Sequence, residues 1–219
     1  MKLADCLNEV GEHHFMVPGC VGDMEVVLNV PADCDLQYIA FLGHPHSLQG
    51  GTMNNKVVTT LARTFNALGI ASVRFNFRGV GRSEGVFDAG VGESEDLLKL
   101  VAYVEQTLPN AQCIFAGFSF GSYVAYRAAA QHAHVLLITI APPVQRFDYD
   151  AFSTMPTPWI LVQGEADEVV PCSLVQDFIA QKKATLPLLL FSETGHFFHG
   201  KLVELKLRLT EVIHEHIKV

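Results

Sequence analysis

Apolar residues along this chain follow two alternating rhythms. Short, nearly continuous apolar runs at Tyr38 to Gly43, Ala71 to Phe77, Ala111 to Ala116, Val135 to Ile140, Trp159 to Gln163 and Leu186 to Phe191 read as buried strands. Met24 to Val30, ended by Pro31, reads as an early antiparallel strand. Between these runs the apolar spacing changes to that of helices. Over Asn54 to Leu68, Val57, Leu61 and Phe65 share one face, with Gly69 as the stop. Gly92 to Leu108 places Leu97, Val101 and Val104 together, and Glu93, Glu95 and Asp96 suit its first turn. Ser122 to Ala130, Cys172 to Lys183 and Lys201 to Ile217 complete the helical segments. Strands that are apolar throughout, separated by helices, predict an α/β fold with a mostly parallel central sheet covered on both faces. Ligands bind such sheets beyond the carboxyl ends of the strands.

Bulk properties narrow the picture further. The chain has 219 residues, 49% hydrophobic and 17% charged, which suits one domain over 1–219 with a sizeable core. Its net charge of −8 argues against nucleic acid or an anionic membrane as the main partner. No apolar run approaches 18 residues, and Met1 to Val10 lacks a signal-peptide core, so a cytoplasmic location is expected. Five cysteines without a C-x-x-C pair suggest reduced thiols, with neither a disulfide framework nor a zinc site.

The chemistry concentrates at Gly117-Phe118-Ser119-Phe120-Gly121. This G-x-S-x-G stands between a strand and a helix former, the context of a nucleophile elbow. The glycines flank the serine because side chains there would collide with the adjoining strand and helix. Ser119 would then lie at a helix N-terminus, where free N–H groups stabilise an oxyanion. Ser122, one step into the helix, reads as structural. A serine hydroxyl needs a base, and the base an orienting acid. Asp167 follows the strand at Trp159 to Gln163, and His196 follows Leu186 to Phe191, so both emerge on the serine's edge. Glu165 and Glu168 compete for the acid's place; His199, His44 and His46 compete for the base's.

Four pieces in this order carry a resemblance: Gly43-His44-Pro45-His46, Asn76 to Ser83, the G-x-S-x-G, and the Asp167 and His196 loops. From about Met24 onward the chain resembles the α/β-hydrolase superfamily, close to its small, lid-less, bacterial serine esterase-like members. The resemblance implies the α/β-hydrolase fold with Ser119 as nucleophile, Asp167 as orienting acid and His196 as general base. It also implies an oxyanion hole. One donor is the N–H of Phe120; the second comes from the loop Gly43 to Gly51, each donor worth ~3–4 kcal/mol. Pro45 has no N–H to give, so the pattern points to His46, with Ser47 or Leu48 as fallback. His44 reads as a buried tie within that loop, and Arg78 as a brace making internal hydrogen bonds. Gly50 and Gly51 either admit substrate or only turn the chain.

Only 18 residues separate Ile140 from Trp159, too few for a cap domain. The site is therefore expected to be open, bordered by the loop carrying Phe147, Tyr149 and Phe152 and by Val86-Phe87-Asp88. Phe118, Phe197, Ser47 and Leu48 are the expected substrate contacts, although aromatic residues so close to the triad also serve as core. The reading is acyl transfer from a small or medium ester, or a thioester, to water through a Ser119 acyl-enzyme, with no cofactor and no metal. A thioesterase or peptidase would use the same triad. A binding scaffold that kept the fold is the reading outside catalysis.

Overall fold

The computed structural model describes residues 3–182 and 185–217. Its centre is an eight-stranded sheet of β1 (Gly11–Pro18), β2 (Asp23–Val30), β3 (Tyr38–Gly43), β4 (Ala71–Phe75), β5 (Gln112–Phe118), β6 (Leu136–Ile140), β7 (Trp159–Gly164) and β8 (Leu188–Phe191). The spatial order is β1-β2-β4-β3-β5-β6-β7-β8. From β4 to β8 every pairing is parallel; β2 joins β1 and β4 antiparallel. Strand β1 is absent from the sequence expectation. It is an edge strand whose residues are mostly half-exposed, and Glu12, His13 and His14 break the apolar run that marks its neighbours.

Helices cover both faces, each filling its own half of the core. Helices α2 (Lys56–Ala67) and α6 (Leu202–His216) seal one face with Leu61, Phe65, Leu205, Leu209 and Ile213, all fully buried. Helices α3 (Val91–Glu105), α4 (Phe120–Ala129) and α5 (Cys172–Gln181) cover the other through Leu97, Leu100, Val124 and Val175, together with the short α1 (Leu3–Cys6). Strands sandwiched this way have no solvent face to offer, which is why β3, β5, β6 and β7 are mostly apolar, while Ser72 and Arg74 of β4 are buried. At about 25 cal/mol per Å² of apolar area removed from water, these two layers supply the main drive to fold.

Ile140 and Trp159 are joined without a cap. The connecting segment is instead pinned onto α4 by aromatic packing. Phe147 stacks on Tyr123 at 4.7 Å between ring centroids and meets Phe120 at 5.3 Å. Tyr149 is buried between Tyr126 and Trp159, and its carbonyl accepts a hydrogen bond from the Tyr126 hydroxyl. The fold is that of an α/β hydrolase without a lid. No helix among the described residues is long and apolar enough to cross a membrane.

Candidate active site

Strand β5 delivers Ser119 to the carboxyl edge of the sheet. In the parallel pair, Gly117 stands opposite Gly43 of β3 and Phe118 opposite Ile140 of β6. The chain then reverses sharply. Ser119 has φ 53° and ψ −121°, a left-handed conformation costing a non-glycine residue ~1–3 kcal/mol. Its N–H donates to the Ile140 carbonyl at 2.8 Å, and the buried Ser122 hydroxyl donates to Gly117 and Ile140 carbonyls at 2.8 and 2.9 Å. These bonds from both sides hold the strained residue in place, and Ser122 is structural. A Cβ at Gly117 would fall 2.1 Å from the Gly121 carbonyl oxygen; one at Gly121 would fall 2.4 Å from the Gly43 carbonyl. Close backbone approach, as expected from the motif, is what demands glycine at both positions.

Three side chains from three separate loops meet at this point. Ser119 Oγ lies 3.0 Å from His196 Nε2, and His196 Nδ1 lies 2.8 Å from Asp167 Oδ2. Because the carboxylate only accepts, Nδ1 carries the proton and Nε2 is left to accept from the serine. Asp167 Oδ1 takes two more hydrogen bonds, from the Val169 and Val170 N–H groups, both at 2.8 Å. Burial pushes the Asp167 carboxyl up, but the His196 hydrogen bond and the two backbone donors outweigh it, so it titrates below its ordinary value. Glu165 pairs instead with Ser192, and Glu168 is exposed. His199 lies in the turn before α6, outside the helix, and is exposed.

The facing loop supplies the other wall. Phe120 opens α4, so its N–H has no acceptor within the helix. The His46 N–H finds no acceptor among the described residues, and the His46 ring packs against Phe87 at 4.8 Å and Phe120 at 5.1 Å. His44 is fully buried: its Nδ1–H donates to the Pro45 carbonyl at 2.6 Å and its Nε2 accepts from the Phe77 N–H at 3.0 Å. Burial lowers its pKa to about 4, so it stays neutral and ties the β3 loop to the β4 loop. Arg78 is also internal, bonded to Asp96 at 2.7 Å and to the Gly92 carbonyl at 2.8 Å.

A cavity of about 150 Å³ opens beside Ser119, walled by His46, Gln49, Asn55, Val169, His196 and Phe197. A smaller recess of about 20 Å³ also borders Ser119, against Phe120, Pro143, Arg146 and Phe147. Of the expected substrate contacts, Phe197 reaches this space, 47% exposed. Phe118 does not. It is fully buried with its ring 5.0 Å from that of His196, packed in the core under α2 and α6. Neither Ser47 nor Leu48 lines the cavity; Leu48 points to solvent, 73% exposed, because it rides the outside of a single 3₁₀ turn at Ser47–Gln49. Gln49, Val169, Asn55 and Arg146 are wall residues that sequence reasoning missed, and no local pattern marks them. Gln163 was missed as well, although a polar residue closing an otherwise apolar strand was a usable signal. Its Nε2 donates to Asp167 Oδ2 at 3.1 Å and to the Val170 carbonyl at 2.8 Å.

Comparison with known proteins decides the family. The chain is similar to an α/β serine hydrolase homologue from Coxiella burnetii, 42% identical, with 93% of this chain and 98% of that one aligned and a TM-score of 0.89. The chain belongs to the α/β serine hydrolases. A second solved structure similar to this hydrolase is an α/β serine hydrolase without lid from Xanthomonas campestris, 39% identical over 96% of this chain and 97% of that one, TM-score 0.91. An uncharacterized protein of Rickettsia prowazekii is 32% identical over 80% of this hydrolase and 78% of its own length. The family model described as serine aminopeptidase, S33 matches residues 47–153, the stretch from the β3 loop through the elbow to the loop after β6.

Proposed function

We propose that this hydrolase cleaves small or medium acyl esters through a Ser119 acyl-enzyme. The observation that carries the reading is the unbroken hydrogen-bond chain from Ser119 Oγ through His196 to Asp167 at 3.0 and 2.8 Å. Ser119 Oγ attacks the ester carbonyl carbon while His196 Nε2 accepts its proton. The carbonyl oxygen becomes an oxyanion held by the N–H groups of Phe120 and His46. His196 then hands its proton to the departing alkoxide, the C–O bond breaks, and the acyl group stays on Ser119. Water repeats the sequence, its proton passing to His196 and then to Ser119 as the acid is released. Asp167 remains ionised throughout and fixes the imidazole tautomer.

The size of the cavity supports a small or medium acyl group. About 150 Å³ is well below the roughly 300–1,000 Å³ of sites for drug-sized ligands. With no lid to close over a long chain, a larger substituent would extend into solvent. The peptidase reading draws on the family model's description alone, and the triad chemistry is common to both.

Labelling with a fluorophosphonate, read by intact mass, tests the mechanism without knowledge of the substrate. One adduct on the wild type that vanishes in Ser119→Ala supports it, and a panel of esters, thioesters and aminoacyl amides then ranks the substrates. No adduct, or one that persists in the variant, brings the binding-scaffold reading forward.

A further inference from the structure

We propose that this hydrolase carries a zinc site at the edge of the sheet opposite the serine, built from Glu105, Cys113 and His132. The sequence hides it, because the three residues are scattered without a ligand spacing motif. The fold collects them. Glu105 ends α3, Cys113 stands near the start of β5, and His132 lies in the turn after α4. Their ligand atoms all lie within 4.8 Å of one another, with Glu105 Oε1 3.1 Å from His132 Nε2. Ser119 lies at the far end of the same strand, so the cluster is separate from the hydrolytic centre.

The donor set fits zinc. A thiolate, an imidazole and a carboxylate match the preferences of a borderline-soft ion that accepts sulfur, nitrogen and oxygen in tetrahedral geometry. His132 Nδ1 meets the Ala133 carbonyl at 2.8 Å and Nε2 meets the Glu105 carboxylate at 3.1 Å, so Zn²⁺ would take the place of the hydrogen shared between Nε2 and Glu105. A carbonyl partner of this kind is how metal-bound histidines are commonly oriented.

A second observation is independent of the cluster. The three residues line a cavity of about 210 Å³, and His134 lines it too. His134 Nδ1–H donates to the His132 carbonyl at 3.0 Å, which leaves Nε2 as an acceptor; that atom is buried without a partner among the described residues. A buried, unpartnered acceptor is costly, so it marks a place where something is to be bound. His134 borders the cavity but lies outside the set whose ligand atoms are mutually within 4.8 Å, so water is the fourth donor. On binding, the Cys113 thiol proton and the proton held between His132 Nε2 and Glu105 pass to solvent as the S–Zn and N–Zn bonds form. The ion would fasten together the end of α3, the start of β5 and the α4–β6 turn, so its effect is on stability.

The test uses the full chain, stripped with a chelator and titrated with Zn²⁺ against a chromogenic chelator, then with Co²⁺. One equivalent of Zn²⁺ per chain, a raised Tm and a thiolate-to-cobalt charge-transfer band in the near ultraviolet are expected. Cys113→Ser should abolish the band, and both Cys113→Ser and His132→Gln should weaken Zn²⁺ by more than the roughly 10–100-fold typical of an outer-shell change. Cys20→Ser should bind as the wild type does. If Cys113→Ser does not fold, His132→Gln on the exposed turn carries the test, its fold checked by unchanged far-ultraviolet circular dichroism. Substoichiometric Zn²⁺, or affinity unchanged in His132→Gln, overturns the proposal and leaves a plain Glu105–His132 ion pair beside a buried thiol.

Discussion

Gln163 and His196 converge on one oxygen, Asp167 Oδ2, at 3.1 and 2.8 Å. The same Gln163 amide nitrogen also donates to the Val170 carbonyl, closing the acid loop on itself. Gln163 therefore holds the carboxylate at the angle from which it holds the imidazole. Gln163→Leu, of similar volume, removes both bonds and leaves the Val170 carbonyl unpaired. We expect a stability loss of about 1–3 kcal/mol by urea unfolding. A kcat reduced ~10-fold with little change in KM would accompany it, as loosened positioning predicts. An unchanged kcat would show that the loop needs no help from Gln163.

Ser119 offers a way to separate strain from chemistry. Ser119→Ala removes the proposed nucleophile and keeps the left-handed backbone, so kcat should fall by ~10⁴–10⁶-fold. Ser119→Gly should be equally inactive, yet more stable than Ser119→Ala by about 1 kcal/mol, because glycine adopts φ 53° without a Cβ penalty. Paired denaturant titrations measure the difference. Equal stabilities would mean that the elbow stores no strain.

Arg78 and Asp96 form an ion pair with both side chains at least nine-tenths buried. Removing one partner leaves the other charge stranded, which costs about 3–5 kcal/mol. Arg78→Met should therefore lower the urea midpoint substantially, while Arg78→Met combined with Asp96→Asn should recover much of the loss. Failure of the second change to recover stability would place Arg78's contribution in its bond to the Gly92 carbonyl instead.

His44 makes stability depend on pH in a definite direction. Its folded pKa is about 4 against an ordinary 6.5, because burial penalises the charged ring. The folded state thus takes up the proton later than the unfolded state as pH falls. Stabilisation from this group is complete above pH 6.5 and is lost progressively toward pH 4, amounting to about 3 kcal/mol. His44→Gln, which cannot ionise, should show a shallower fall in Tm between those pH values than the wild type. Parallel Tm curves for the two proteins would rule out this role for His44.

Much of the architecture is a local matter. Short apolar runs bounded by turn residues mark strands covered on both faces, and the helical spacing of Val57, Leu61 and Phe65 marks a helix wherever it packs. The element ends moved by a few residues, since caps depend on contacts made elsewhere. The elbow is also local: strand, glycine-flanked serine and helix are neighbours in the chain. Direction was not legible. Phe118 and Phe120 flank Ser119 symmetrically in sequence, yet the reversal at the serine sends Phe118 into the core under α2 and α6 and Phe120 into the core on the other face.

The chain by itself determined the alternating elements, the buried sheet and the identity of Ser119, Asp167 and His196 as residues to watch, because each rests on a pattern spanning a few neighbouring residues. Only the tertiary structure decided what surrounds them. Gln163 under Asp167, Arg146 and Gln49 beside Ser119, and the meeting of Glu105, Cys113 and His132 at the opposite edge all join residues far apart in sequence. Such contacts follow from strand order and register, and no window of sequence contains that information.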